Sequence, residues 1–350
     1  MKKLLILTTI FTFATAQVSN KEIANMFILG FYGNSANSGT KIYNDICNLG
    51  LGGVILFQKL GKRVKNFSNI KELKALTTDL KSCGTKPLIA IDQEGGVVQR
   101  LKLKYKYPKA SVVATKGIKY ANNIYKLMAK ELQSVGVNLN FAPVADIAIN
   151  PNNKVIVKWG RSYGANENSV INYCSTFIDA MHSKNIATSL KHFPGHGSSL
   201  GDTHKGFVDV TKLWQQRELA PYKALKNKTD TIMVAHIFNR NLDANYPASL
   251  SKKIVTGILR NKIGYSGVVV TDDMQMGALS KHYSLRDRIK LAINAGDDIL
   301  LFANQINKNS SVTTSQVVKI VRSLLNSGEV SEQSIKNANI RINSLKNRLY

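Results

Sequence analysis

The chain has 350 residues, 44% of them hydrophobic, and a formal charge of +26. That length allows one large α/β barrel or two average domains, and the apolar fraction allows a sizeable core. The lysines are spread along the chain, which argues against a nucleic-acid-binding stripe. The three cysteines, Cys47, Cys83 and Cys174, exclude a disulfide framework and leave room for one pair at most.

The chain opens with Lys2 and Lys3, an apolar run from Leu4 to about Ala14, and the small-residue site Ala14-Thr15-Ala16. This is the layout of a signal peptide, too short to span a bilayer. Residues 1–16 are therefore expected to be removed, leaving a periplasmic or secreted domain over 17–350. No cysteine follows the cleavage site, so a lipid anchor there is not expected, and no later stretch is apolar enough to cross a membrane. Export also weighs against nucleic acid as the partner of so basic a chain.

Short apolar runs then alternate with segments of helical period. The runs are 27–31, 54–57, 88–91, 138–142, 187–190, 231–235, 267–271 and 299–302, most of them apolar on both faces, as strands of a buried parallel sheet are. Helices are expected over 121–134, 170–183 and 285–295, the last stopped by Gly296. Val170, Cys174, Phe177, Ile178 and Met181 form one helical stripe, which makes Cys174 core filling. Eight alternations predict a single α/β domain, a (β/α)8 barrel of the TIM type. The competing doubly wound sheet needs a phosphate loop after its first strand, and GFYGNSANSG lacks that spacing. The densest basic segment, LKLKYKYPK at 101–109, reads as a solvated loop face, with attraction to anionic envelope polymers as the sharper expectation.

In such a barrel catalytic side chains gather just after the strand C-termini. Asp92 closes the third run, Asp146 follows the fourth, Lys191 and His192 close the fifth, His236 the sixth, and Asp272 with Asp273 the seventh. In an extended chain Asp272 and Asp273 point to opposite sides, so one faces the substrate while the other caps a helix or holds the loop. Periodicity alone does not choose between them. The stretch KHFPGHGSSLGDTH, 191–204, is the densest in chemistry. Its Asp202 and His204, two apart, project to one side of an extended segment, where the carboxylate fixes the imidazole tautomer and leaves the other nitrogen to move a proton. Glycines 195, 197 and 201 suggest an arm able to close over substrate.

Six segments, IDQEGGVVQR, NFAPVADI, WGRSYG, KHFPGHGSSLGDTH, VAHIFN and GVVVTDDMQMGAL, in this order, resemble glycoside hydrolase family 3, and within it the single-domain β-N-acetylglucosaminidase branch. The resemblance covers essentially 17–350 and implies a retaining exo-glycosidase that removes terminal β-linked GlcNAc from peptidoglycan fragments or related glycans. It implies Asp272 as nucleophile, His204 as acid/base, Asp202 as its orienting partner, and Asp92, Arg100, Arg161, Lys191 and His192 as sugar-binding residues. It implies no cofactor and no metal. Chemically this is coherent: an ordinary aspartate, with a pKa of about 3.9, is ionised at neutral pH, and an ordinary histidine, near about 6.5, both gives and takes a proton. Glu94 then reads as a loop residue, His196 as loop-shaping, His236 as pocket lining, and Asp146 as a brace at the barrel mouth. Val97 stands where the family often has arginine, altering one wall. The alternatives are a β-glucosidase or xylosidase of the same family, a metal-dependent barrel hydrolase using His192, His236 and Asp272, and a non-catalytic wall-binding module.

Overall fold

The computed structural model describes residues 17–61, 63–102, 104–305 and 311–350. The expected signal peptide lies outside the described residues. Eight strands, β1 (Phe27–Gly30), β2 (Gly53–Ile55), β3 (Leu88–Ile91), β4 (Leu139–Asn140), β5 (Ala187–Phe193), β6 (Thr231–Val234), β7 (Val268–Thr271) and β8 (Leu300–Phe302), pair in parallel in chain order, and β8 returns to β1. A parallel bridge between Val270 and Ile299, with the Thr271 N–H donating to Ile299 O at 3.0 Å, joins β7 to β8 and completes the barrel. The chain forms the (β/α)8 barrel expected. Each apolar run carries a strand within two residues of its predicted ends, except that β5 runs on to Phe193.

Every residue of β1, β3, β6 and β7 is buried, because side chains fill the barrel on one face and helices cover the other. The covering helices bury residues at three- and four-residue spacing. Helix Glu167–His182 buries the predicted stripe with Cys174 fully enclosed, and Phe177 meets Tyr125 of helix Ile118–Ser134 edge-on, 4.7 Å between ring centroids. Helix Leu285–Ala295 starts where the Ser284 side chain accepts the Asp287 N–H and stops at Gly296, whose φ of +108° suits glycine.

Cys47 and Cys83 form a disulfide across a separation of 36 residues. It ties the end of helix Lys41–Cys47 to the segment after helix Ile70–Lys81, at the end of the barrel where strands begin. In the 101–109 segment Lys102, Lys104, Lys106 and Lys109 are exposed, while Tyr107 turns inward and donates to Glu131 at 2.6 Å. This is the solvated face read from sequence.

Candidate active site

The strand C-termini converge on a cleft of about 350 Å³, in the size range of small-molecule sites. Asp92, Arg100, Arg161, Lys191, His192, Asp202, His204 and Asp272 all line it. The barrel thus brings together residues up to 180 positions apart in sequence. Asp92 follows β3. Arg100 follows the hairpin Gln93–Gly95/Val98–Gln99, and its N–H donates to Asp92 O at 3.3 Å.

Lys191 and His192 are consecutive, and a regular strand would send them to opposite faces. Against β6, Leu190 pairs with Ile232 and Phe193 with Val234, so β5 carries one extra residue at this point. This bulge lets both side chains reach the cleft.

The floor is an ion-pair network. Lys191 Nζ donates to Asp92 Oδ1 at 2.8 Å and lies 2.7 Å from Glu94 Oε1. Arg161 grips Glu94 in two places, Nε to Oε2 and Nη2 to Oε1, both at 2.8 Å. Burial alone would raise the Glu94 carboxyl, but Arg161 and Lys191 outweigh it and hold it below the usual carboxylate range. Burial would likewise lower Lys191, yet Asp92 and Glu94 keep it raised. Both stay charged, so the floor offers fixed donors and the Asp92 acceptor to hydroxyl groups.

His192 is fixed from behind. Its Nδ1 lies 2.7 Å from Asp146 Oδ2, so that nitrogen carries the hydrogen and Nε2 faces Arg161 at 3.4 Å. Asp146 is fully buried, and its Oδ1 also accepts the His196 N–H. It braces the mouth and does not line the cleft.

Asp272 and Asp273 both border the cleft, against the expectation that only one would, but their carboxyls have different partners. Asp273 is buried and holds the loop: its Oδ1 accepts N–H groups from Gln275 and from Ala303 beyond β8. Burial pushes its carboxyl up to about 6. Asp272 lines the cleft and accepts the Asp273 N–H at 2.8 Å. Burial opposes its charge, but His236, His192 and His204 bring its pKa down to about 2, so it is ionised throughout the neutral range.

The arm that carries His204 is docked beside Asp272. Gly277 and Ala278, just beyond β7, donate their N–H groups to His204 O at 3.3 Å and Thr203 O at 3.0 Å. A Cβ on Gly277 would sit 2.8 Å from His204 O, so only glycine permits the approach. Asp202 and His204 meet, with Nδ1 3.0 Å from Oδ1, but through a turn and not the extended segment expected: Asp202 O accepts the Lys205 N–H, and its Oδ1 also accepts the His204 N–H. The His204 side chain is 63% exposed, and among the described residues no hydrogen bond engages its Nε2.

His236 departs from expectation. It is fully buried behind the wall, Nδ1 against Ser249 Oγ at 2.7 Å and Nε2 against Asp273 O at 3.0 Å. With both nitrogens engaged it cannot join His192 and Asp272 as a metal ligand. Among the described residues no group of three His, Cys, Asp or Glu side chains is placed to hold a metal ion. His196 is loop-shaping as read, its Nδ1 bonded to Ser199 Oγ, and burial lowers its pKa to about 4.

Sequence reasoning missed Glu218. It is buried under the arm's root and accepts N–H groups from Gly197, Ser198 and Gln215 at 3.1–3.3 Å. Its pairing with Gln215, three residues before it, is a local capping box, but its bonds to Gly197 and Ser198, 21 and 20 residues upstream, leave no pattern in the sequence. Trp159 and Phe57, which also line the cleft, were missed too. Trp159 stands two residues before Arg161 in WGRSYG, the one signal that could have drawn notice to it.

The glycosyl hydrolase family 3 N-terminal domain matches residues 18–345. A beta-hexosaminidase of Tolumonas auensis is 34% identical over 264 residues, covering 73% of this chain and 76% of that protein. One from Haemophilus influenzae is 33% identical over 267 residues, covering 73% of each. Among solved structures, a glycoside hydrolase family 3 beta-N-acetylglucosaminidase from Paenibacillus sp. str. FPU-7 superposes with a TM-score of 0.85 at 29% identity over 95% of this chain. The match spans 63% of the Paenibacillus protein.

Proposed function

The chain belongs to glycosyl hydrolase family 3, and from that premise we propose that it is a retaining exo-β-N-acetylglucosaminidase. Its substrate is a terminal β-linked GlcNAc of peptidoglycan fragments or related glycans. The observation that carries this reading is the convergence of an ionised Asp272 and an Asp202-held His204 on one cleft whose floor presents Asp92, Lys191 and Arg161.

In the first step Asp272 attacks the anomeric carbon, the bond to the leaving oxygen breaks, and the His204 imidazolium gives that oxygen the proton on Nε2. In the second, neutral His204 takes a proton from water, whose oxygen displaces Asp272 and restores the β configuration. Asp202, bonded to Nδ1, holds the tautomer both steps need. A histidine in place of a second carboxylate leaves the usual carboxylate-spacing rule without application here. The names of the Tolumonas, Haemophilus and Paenibacillus relatives support the N-acetylhexosaminide class.

Export through residues 1–16 would place the enzyme with wall-derived substrate, and its basic surface would favour anionic envelope polymers. The test of the activity is turnover of aryl N-acetylglucosaminide, glucoside and xyloside by wild type, Asp272→Ala and His204→Ala. The N-acetylglucosaminide should be preferred, and each variant should lose about 10²–10⁴-fold in kcat. Wild-type turnover by either variant would remove that residue's role, and preference for the glucoside would replace the substrate.

A further inference from the structure

Large apolar side chains stand exposed at the mouth of the cleft. Val97, 53% exposed, and Trp159, 48% exposed, both line it. They belong to adjoining turns. A Cβ on Gly96 would lie 2.6 Å from Lys109 Cβ and one on Gly160 would lie 2.5 Å from Lys109 Cδ, so both turns flank the same lysine.

Trp159 is held on a braced loop. Buried Asn153 accepts the Val155 and Ile156 N–H groups and donates to His196 O at 2.7 Å, while the Arg161 N–H returns to Ile156 O at 2.9 Å. Arg161 in turn is clamped to Glu94. An indole left half exposed on so fixed a turn is available to whatever fills the mouth.

The direction of the leaving group follows from burial. The Lys191 and Glu94 side chains at the floor are 3% and 6% exposed, whereas the His204 side chain is 63% exposed. With the cleaved sugar on the floor, the group that His204 protonates lies outward, beside Trp159 and Val97. A pyranose in the ordinary chair with equatorial substituents shows a flat face of axial C–H bonds, which packs on an indole. A 1,6-anhydro ring, locked in the inverted chair, sets its substituents axially and shows no such face.

We propose that Trp159, flanked by Val97, is the leaving-group platform and selects glycans whose next unit is an equatorially substituted β-linked pyranose. This rests on the N-acetylglucosaminidase reading above.

The test compares two substrates that share the same His204 proton transfer: N,N′-diacetylchitobiose, whose leaving group is a ring, and methyl N-acetyl-β-glucosaminide, whose leaving group is methanol. In Trp159→Ala the ratio of their kcat/KM values should fall about tenfold in disfavour of chitobiose, the scale of one aromatic contact. Trp159→Phe should restore most of it. An unchanged ratio in Trp159→Ala, or parallel loss on both substrates in both variants, would overturn the platform. Wild-type protein inert on both substrates would instead remove the activity, and the platform with it.

Discussion

At the scale of residues, the cleft works by committing charge before a substrate arrives. Glu94 accepts two bonds from Arg161 and stands 2.7 Å from Lys191 Nζ, so its oxygens are occupied and its proton affinity is depressed. It is a strut for two cations and not an acid catalyst. Glu94→Gln would leave two buried cations short of a partner and should lower unfolding free energy by about 3–5 kcal/mol, read by urea denaturation. A loss under about 1 kcal/mol would contradict the strut. The two neighbouring aspartates show how environment divides a pair. Asp272, among histidines, falls to about 2, while Asp273, buried and bonded only to backbone N–H groups, rises to about 6. Sequence alternation predicted that only one of them faces the cleft, yet both border it; what sets Asp273 apart is its bond to Ala303 beyond the neighbouring strand β8, which no local pattern encodes.

At the scale of elements, the decisive one is the arm from β5. Its root rests on Glu218 and its tip on Gly277 and Ala278. Burial pushes the Glu218 carboxyl up to about 7 from an ordinary value of 4.5, with Asp146 adding repulsion; N–H groups of Gln215, Gly197 and Ser198 offset part of it. A raised folded-state pKa means the protonated form stabilises the fold. That contribution is fully present below about 4.5 and is lost as pH rises through about 7. Glu218→Gln stays neutral, so its melting temperature should gain on wild type as pH rises from about 5 to 8, a swing on the order of 3 kcal/mol. A gap that is flat with pH would contradict the assignment. The strands were legible because barrel strands are apolar on both faces, and helix Leu285–Ala295 because a cap and a stop glycine bracket it. The β5 bulge and the 202–206 turn were not. Both are set by neighbours, β6 in one case and the segment after β7 in the other, and neither leaves a period in the sequence.

At the scale of the whole molecule, chemistry sits at one end of the barrel and covalent reinforcement at the other. The Cys47–Cys83 link closes a 36-residue loop where strands begin, removing unfolded-state freedom without touching the cleft. Six segments scattered over more than 180 positions carried the family resemblance and the eight cleft residues, because a barrel assembles its site from the ends of successive strands. The formal charge is +26, or +24 without Lys2 and Lys3, and its lysines are spread along the whole chain. Binding to isolated cell wall should weaken as salt rises from about 0.01 to 0.5 M, and salt-independent binding would rule out electrostatic attraction.

The retaining mechanism proposed for this cleft requires Asp272 to form a covalent bond to the sugar. It is tested most directly by trapping that bond with 5-fluoro-N-acetylglucosaminyl fluoride, which forms the glycosyl-enzyme faster than water releases it, and locating the label by peptide mass spectrometry. One sugar adduct per chain is expected, on the carboxylate of Asp272. An adduct on Asp92, Glu94 or Asp273, or release of the α-anomer with no adduct, would contradict it.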